Sequence, residues 1–189
     1  SHKPEQRDNS NNLKYTTYTY NPDDSISTVT DARGATTQLT YNSRGLVEAK
    51  SYTVPSESNI DDPADVSFAY DNVGNRTQMT DGLGQVDYEY DSLSRMTAET
   101  RDFNDDLPNA PITGSKFKLE YTYTLSGGLR SYTDAYGKTI NYANDRTGRI
   151  TAVTGASIAG NYDYADNPHY RAWGALTHLD YGNGTEMNV

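Results

Sequence analysis

The sequence predicts an all-β fold: an antiparallel β-hairpin repeat, with the hairpins joined into a strongly twisted sheet. Three observations carry this. Aromatic-acid pairs recur at a base period of 20–21 residues, glycines and apolar residues recur in register with them, and no useful length of chain shows helical periodicity.

The aromatic column is Tyr20, Tyr41, Tyr70, Tyr90, Tyr123, Asn144 and Tyr170. Asn144 breaks the tyrosine rule, but Asp145 and Gly148 keep the register. Tyr164 also fits the period, so the last unit can be read in two ways. Four residues after each key position stand Asp24, Gly45, Gly74, Ser94, Gly127, Gly148 and Gly174. Six residues after stand Ile26, Val47, Arg76, Met96, Leu129, Ile150 and Leu176. A second aromatic or apolar residue lies two before most key positions, as in Tyr18, Phe68, Tyr88 and Tyr121.

Each column has a physical role. Side chains two apart on a strand share a face, so Tyr-x-Tyr places both rings together. An Asp or Asn after the tyrosine starts a turn, because its side chain accepts a hydrogen bond from the backbone two residues on. Glycine closes the turn where φ is positive, as in a type I turn followed by a glycine bulge. The apolar residue then resumes the next strand. A second turn falls at the half-period, at Asp31–Gly34, Asp81–Gly84, Asp134–Gly137 and Tyr181–Gly184. Two turns per period leave about 14 strands of ordinary length.

The expected organisation is a disordered lead-in at 1–14 and about seven repeats over 15–189, with loop insertions near 51–65, 101–116 and 155–169. The first two insertions hold Pro55, Pro63, Pro108 and Pro111 among polar residues and read as loops. The chain opens without Met and stops in mid-pattern at Val189, as expected of a piece of a longer protein.

Composition narrows the function. The formal charge of −10 opposes nucleic acid and anionic membrane surfaces. There is no cysteine, which rules out disulfides and thiolate chemistry within these residues. There are 17 tyrosines against 3 phenylalanines, which suits half-wet sheet faces and predicts cross-strand ring stacking. An aromatic platform for sugars or peptides is the other reading of that ladder, and of the single tryptophan, Trp173.

No catalytic, cofactor or metal residues are predicted. His2, His169 and His178 lack ligand spacing and read as isolated surface histidines. The clusters Asp23-Asp24, Asp61-Asp62-Asp65 and Asp102-Asp105-Asp106 lack the Asp-x-Asp-x-Asp-Gly calcium loop. The repeat aspartates are explained as turn caps, and no Gly-x-Ser-x-Gly elbow is present. Asn75-Arg76-Thr77 and Asn183-Gly184-Thr185 match the glycosylation sequon but sit where turns are expected.

Tyr70-Asp71-Asn72-Val73-Gly74-Asn75-Arg76, Tyr90-Asp91-Ser92-Leu93-Ser94-Arg95-Met96 and Asp145-Arg146-Thr147-Gly148-Arg149-Ile150 resemble the YD repeat, also called the Rhs repeat. Tyr170–Leu176 followed by Tyr181–Thr185 resembles a segment common in bacterial Rhs proteins. The resemblance covers about residues 15–187. It implies a ribbon of β-sheet that spirals into a hollow shell, as in Rhs proteins, the BC components of Tc toxins, and teneurins, so that these few repeats would form a curved, twisted sheet, an arc of a β-shell. In the bacterial toxins the shell encloses a C-terminal toxin, and a core-associated region closes it and in many members cuts the chain with aspartates. No segment here resembles that region, so those aspartates have no position in this sequence.

The resemblance therefore implies a non-catalytic structural segment of a large secreted or cell-surface bacterial protein. The implied partners are the rest of the parent chain and an encapsulated toxin or effector, without cofactors. The alternative is an extracellular adhesive module that binds carbohydrate or protein. Open sheet edges also predict edge-to-edge self-association of the fragment.

Overall fold

The computed structural model describes residues 6–7, 13–56, 60–104, 116–157 and 160–189. The described residues are almost entirely strand and turn. None of their helices is long and apolar enough to cross a membrane.

Two compact units divide the chain. The first comprises Ser1–Asp87 and Asp102–Ser115, the second Tyr88–Arg101 and Lys116–Val189. In the first, β1 (Gln6–Arg7) pairs only with β2 (Leu13–Lys14). Then β3 (Thr17–Tyr20), β4 (Ile26–Thr30), β5 (Thr36–Tyr41), β6 (Val47–Thr53), β7 (Val66–Tyr70), β8 (Arg76–Asp81) and β9 (Gly84–Tyr90) follow one another as an antiparallel meander. The chain leaves this unit within β9. The second unit holds β10 (Met96–Phe103) as far as Arg101, and orders β11 (Lys116–Tyr123), β12 (Leu129–Thr133), β13 (Thr139–Asn144), β14 (Ile150–Ser157), β15 (Gly160–Tyr170), β16 (Leu176–Tyr181) and β17 (Glu186–Asn188) in the same sequential way. The predicted antiparallel hairpin repeat is the observed fold class.

Turn chemistry sets this topology. After each key position the first turn residue donates its N–H to the carbonyl four residues on, as from Asp71 to Asn75 at 2.9 Å. The fourth residue donates back, as from Gly74 to the Asp71 carbonyl at 3.3 Å. Gly74 has φ +99°, the left-handed value that closes a type I turn with a bulge. Ser94 and Asp24 take the same position with φ of 60° and 64°, so the geometry holds without glycine. The bulge also appears in the register, which slips between Ala69 and Tyr70 and between Ala143 and Asn144. Beyond the slip, Tyr70 faces Arg76 and Asn144 faces Ile150. The key column and the column six residues later are therefore cross-strand partners.

The segment near 155–169 differs from the expected loop. It is a long hairpin: β14 and β15 pair from Val153↔Ala165 to Ser157↔Gly160. Asp166-Asn167-Pro168 reads as a turn in sequence, but Asn167, with φ +49°, forms a bulge inside β15. Of the 1–14 lead-in, residues 6–7 and 13–14 form the short β1–β2 ladder and the others lie outside the described residues. The 51–65 segment is strand to Thr53 and then largely without regular structure where described, while most of 101–116 lies outside the described residues.

Burial is thin. The buried hydrophobic residues among those described are Ala32 and Val86 in the first unit and Ala98 and Ala165 in the second. Most strand side chains are half-buried. With so little apolar area removed from water, hydrogen bonds that join one hairpin to the next carry unusual weight.

Candidate functional site

The most regular chemistry in the molecule lies at the key turns. In four of them, at Asn42, Asp71, Asp91 and Asp145, one carboxylate or amide oxygen collects two backbone N–H groups. Asp91 Oδ1 accepts from Leu93 at 2.9 Å and Arg95 at 3.0 Å. Asp145 Oδ1 accepts from Thr147 at 2.8 Å and Arg149 at 3.0 Å. Asn42 Oδ1 does the same for Arg44 and Leu46. The half-period turns at Asp31 and Asp134 repeat it, with Asp31 Oδ1 accepting from Arg33 and Ala35 and Asp134 Oδ1 from Tyr136 and Lys138.

These contacts favour the ionised acids. The Arg95 side chain, then the turn amides, hold Asp91 below the usual carboxylate range. The Arg33 side chain does so for Asp31. The Thr147 hydroxyl, backed by the Arg149 N–H, pushes Asp145 far down. At Asp71 desolvation opposes ionisation, but the Asn75 side chain and the turn amides outweigh it.

The key tyrosines use their hydroxyls. Tyr41 Oη donates to the Ile26 carbonyl at 2.8 Å, and Tyr70 Oη to the Val47 carbonyl at 2.7 Å. Tyr123 Oη donates to the Met96 carbonyl at 2.6 Å, and Tyr170 Oη to the Ile150 carbonyl at 2.8 Å. Every acceptor is the residue six places after an earlier key position. Asn144 replaces the tyrosine and still reaches the Leu129 carbonyl through Nδ2, at 3.4 Å. Tyr170, with its turn and its bond to Ile150, thus marks the last repeat; Tyr164 reaches the Ala156 carbonyl only at 3.5 Å. Ring stacking, the sequence expectation, is secondary. Tyr121 and Tyr132 meet tilted at 5.6 Å. Tyr121 also donates to Glu99, and burial followed by that carboxylate pushes its phenol up to about 12.

Arginines complete the fastening in the second unit. The Arg95 guanidinium pairs with Asp91 at 2.6 Å, donates to the Thr124 carbonyl at 3.1 Å and lies 4.7 Å above the Tyr123 ring. Arg149 pairs with Asp145 at 2.8 Å and lies 5.1 Å above Tyr170. One arginine thereby caps its own turn and covers the next key tyrosine.

Residues 70–105 match the family model described as RHS Repeat. Over these residues the chain is similar to the RHS repeat. No curated protein sequence matches the chain. Solved structures do match in fold. The TcdB2-TccC3-TEV crystal structure superposes with a TM-score of 0.71 at 16% identity, over 90% of this chain and 9% of that one. TcdB2-TccC3-Cdc42 gives 0.72 at 14% identity, over 93% and 9%. A Photorhabdus luminescens Tc holotoxin pore carrying a TccC3 point mutation gives 0.73 at 16%, over 92% and 10%. The chain therefore spans about a tenth of the length of those chains.

The remaining polar candidates resolve into turn chemistry around the RHS repeat pattern. Asn75 Nδ2 donates to Asp71, and Asn183 Oδ1 accepts from Thr185, so both sequon asparagines work inside turns. Asp23 caps Ser25, and Asp62 accepts from the Val54 N–H at 2.6 Å. Asp105 and Asp106 lie outside the described residues, as does His2. Trp173 is 76% exposed at a turn tip, with the Arg171 guanidinium 5.5 Å from its ring. The surface hollows, such as those along Tyr15–Tyr20 and beside Thr139, Thr154 and Asp163, are open to solvent.

The histidines differ from expectation. His169 and His178 are cross-strand partners with ring centroids 5.0 Å apart. His178 bonds Asn188 through Nδ1 at 2.8 Å and meets Asp180 through Nε2 at 3.0 Å. The Asn188 contact, followed by the nearby Asp180 and Glu186 carboxylates, raises its pKa against the opposing desolvation.

Proposed function

We propose that this chain is a structural wall segment of a large RHS-repeat protein whose shell encloses a toxin or effector, and that it carries no catalysis of its own. The observation behind this reading is the use of the polar side chains. The repeat aspartates and asparagines cap their own turns, while tyrosine hydroxyls and arginine side chains reach from one hairpin to another. Chemistry of that kind favours a wall, since each group already has a fixed partner within the sheet.

The fold likeness to TcdB2-TccC3 supports the same reading. Those proteins are components of a Tc holotoxin, and one TcdB2-TccC3 structure lacks a hypervariable C-terminal region. By analogy the parent of this chain is a secreted or surface-exposed bacterial protein, and the partner of this segment is the rest of its own shell. The adhesive alternative rests on one observation, the exposed Trp173 beside Arg171.

The parent protein tests the proposal. Its mass is measured under native and then denaturing conditions. A C-terminal piece that is cut yet stays bound natively supports an enclosing shell. A single uncut chain with an accessible C-terminal region, degraded at once by added protease, overturns it.

A further inference from the structure

Among the described residues, one group of metal-ligating side chains converges: His178, Asp180 and Glu186, with ligand atoms all within 4.8 Å of one another. The sheet builds this group. His169, His178 and Asn188 are Cα partners in one row across β15, β16 and β17. Asp180 and Glu186 are partners two residues along β16, on the same face by the period-two rule.

The contacts of His178 give the group its character. The side-chain oxygen of Asn188 can only accept, so His178 Nδ1 carries the hydrogen and donates to it. When the ring is neutral it presents the Nε2 lone pair to Asp180 Oδ1, 3.0 Å away. That contact is bridged either by a proton on Nε2 or by a metal ion that replaces it. The other oxygen of Asp180, Oδ2, is held by Asn167 Nδ2 at 2.9 Å, and Asn167 takes its unusual φ of 49° at the bulge in β15. The ring is held from one side by His169. An imidazole oriented through Nδ1–H by an amide oxygen, with Nε2 turned toward two carboxylates, is the arrangement of a metal-ligating histidine with its supporting partner.

We propose that His178 Nε2, Asp180 and Glu186 form a site for a divalent transition-metal ion of the zinc type. Asn188 fixes the tautomer, His169 braces the ring and water completes the coordination. A mixed nitrogen and carboxylate set suits zinc better than calcium, which favours oxygen alone. Ligand atoms around tetrahedral zinc lie about 3.4 Å apart, so the group must tighten, and the exposed Glu186 is free to swing in. The site ties β16 to β17 and acts on the sheet without any reaction.

The test is calorimetric titration of zinc chloride into the 189-residue chain at pH 7.5, with excess magnesium to occupy exposed carboxylates. The expected result is one equivalent bound, with affinity reduced at least about tenfold by Asn188→Ala and more by His178→Gln or Glu186→Gln. Zinc should also raise the unfolding temperature of the unmodified chain, and the Glu186→Gln variant should lose that rise. Glu186 is exposed, so its variant separates lost binding from lost folding. The absence of zinc binding, or binding that survives both His178→Gln and Glu186→Gln unchanged, overturns the site and leaves a proton as the only cation between His178 and Asp180.

Discussion

The hydroxyl of Tyr70 donates to the carbonyl of Val47 at 2.7 Å, across 23 residues of sequence. Val47 lies at the end of β6 where the β6–β7 ladder, which pairs Ala49↔Ser67 and Lys50↔Val66, has already stopped. The hydroxyl continues the ladder past its last backbone bond. Tyr70→Phe keeps the ring and removes only this bond. It is expected to lower stability by about 1 kcal/mol, read as a lower urea midpoint with an unchanged denaturant slope.

Ser94 holds φ 60° at the position where Gly74 and Gly148 stand in other turns. A side chain in that region costs roughly 1–2 kcal/mol, partly offset by the greater freedom glycine has in the unfolded chain. Ser94→Gly is therefore expected to stabilise the protein by up to about 1 kcal/mol. The converse change, Gly148→Ala, should destabilise it. Thermal unfolding of the two variants checks both signs.

The turn acids predict acid sensitivity. Asp31, Asp71, Asp91 and Asp145 all have folded values below those of a free carboxylate. A depressed folded value contributes stability above the unfolded value near pH 4, and that contribution disappears as pH falls through the folded range. Urea midpoints should stay level down to about pH 5 and drop below it. Asp91→Asn keeps an accepting oxygen but cannot titrate, so its midpoint should fall less between pH 5 and pH 3 than that of the unmodified chain.

Trp173 separates the structural and adhesive readings. Its indole is exposed beside Arg171 and fastens no neighbouring repeat by any hydrogen bond in the structure. As part of a wall, the chain should show no ligand in a glycan-array screen, and Trp173→Ala should change stability by less than about 0.5 kcal/mol. A glycan ligand that is lost in Trp173→Ala would shift the reading to adhesion.

Local chemistry was legible in the sequence because it is written within five residues. Asp71, Asn72, Val73 and Gly74 dictate their turn with little help from elsewhere. The target of each tyrosine hydroxyl was not, since it depends on how far one hairpin slides along another: Tyr123 reaches back 27 residues to Met96. The histidine pair was legible in principle. His169 and His178 stand one before and eight after Tyr170, the offsets that place Thr19 against Thr28 and Thr122 against Ser131. The turn pattern alone does not reveal it, because the pairing depends on strand register. The long β14–β15 hairpin was hidden by Asn167 and Pro168, which belong to turns by composition but form a bulge here because β16 still pairs on both sides of it.

Tyrosine hydroxyls, more than buried area, fasten repeats to their predecessors within each unit, through Tyr41 and Tyr70 in the first and Tyr123 and Tyr170 in the second. The most direct test is the combined variant Tyr41→Phe, Tyr70→Phe, Tyr123→Phe and Tyr170→Phe, compared with Tyr136→Phe, whose side chain is 81% exposed at a turn tip. Equilibrium urea unfolding should show a combined loss of roughly 2–6 kcal/mol for the four bonds, and almost none for Tyr136→Phe. A fourfold variant as stable as the unmodified chain would contradict the claim.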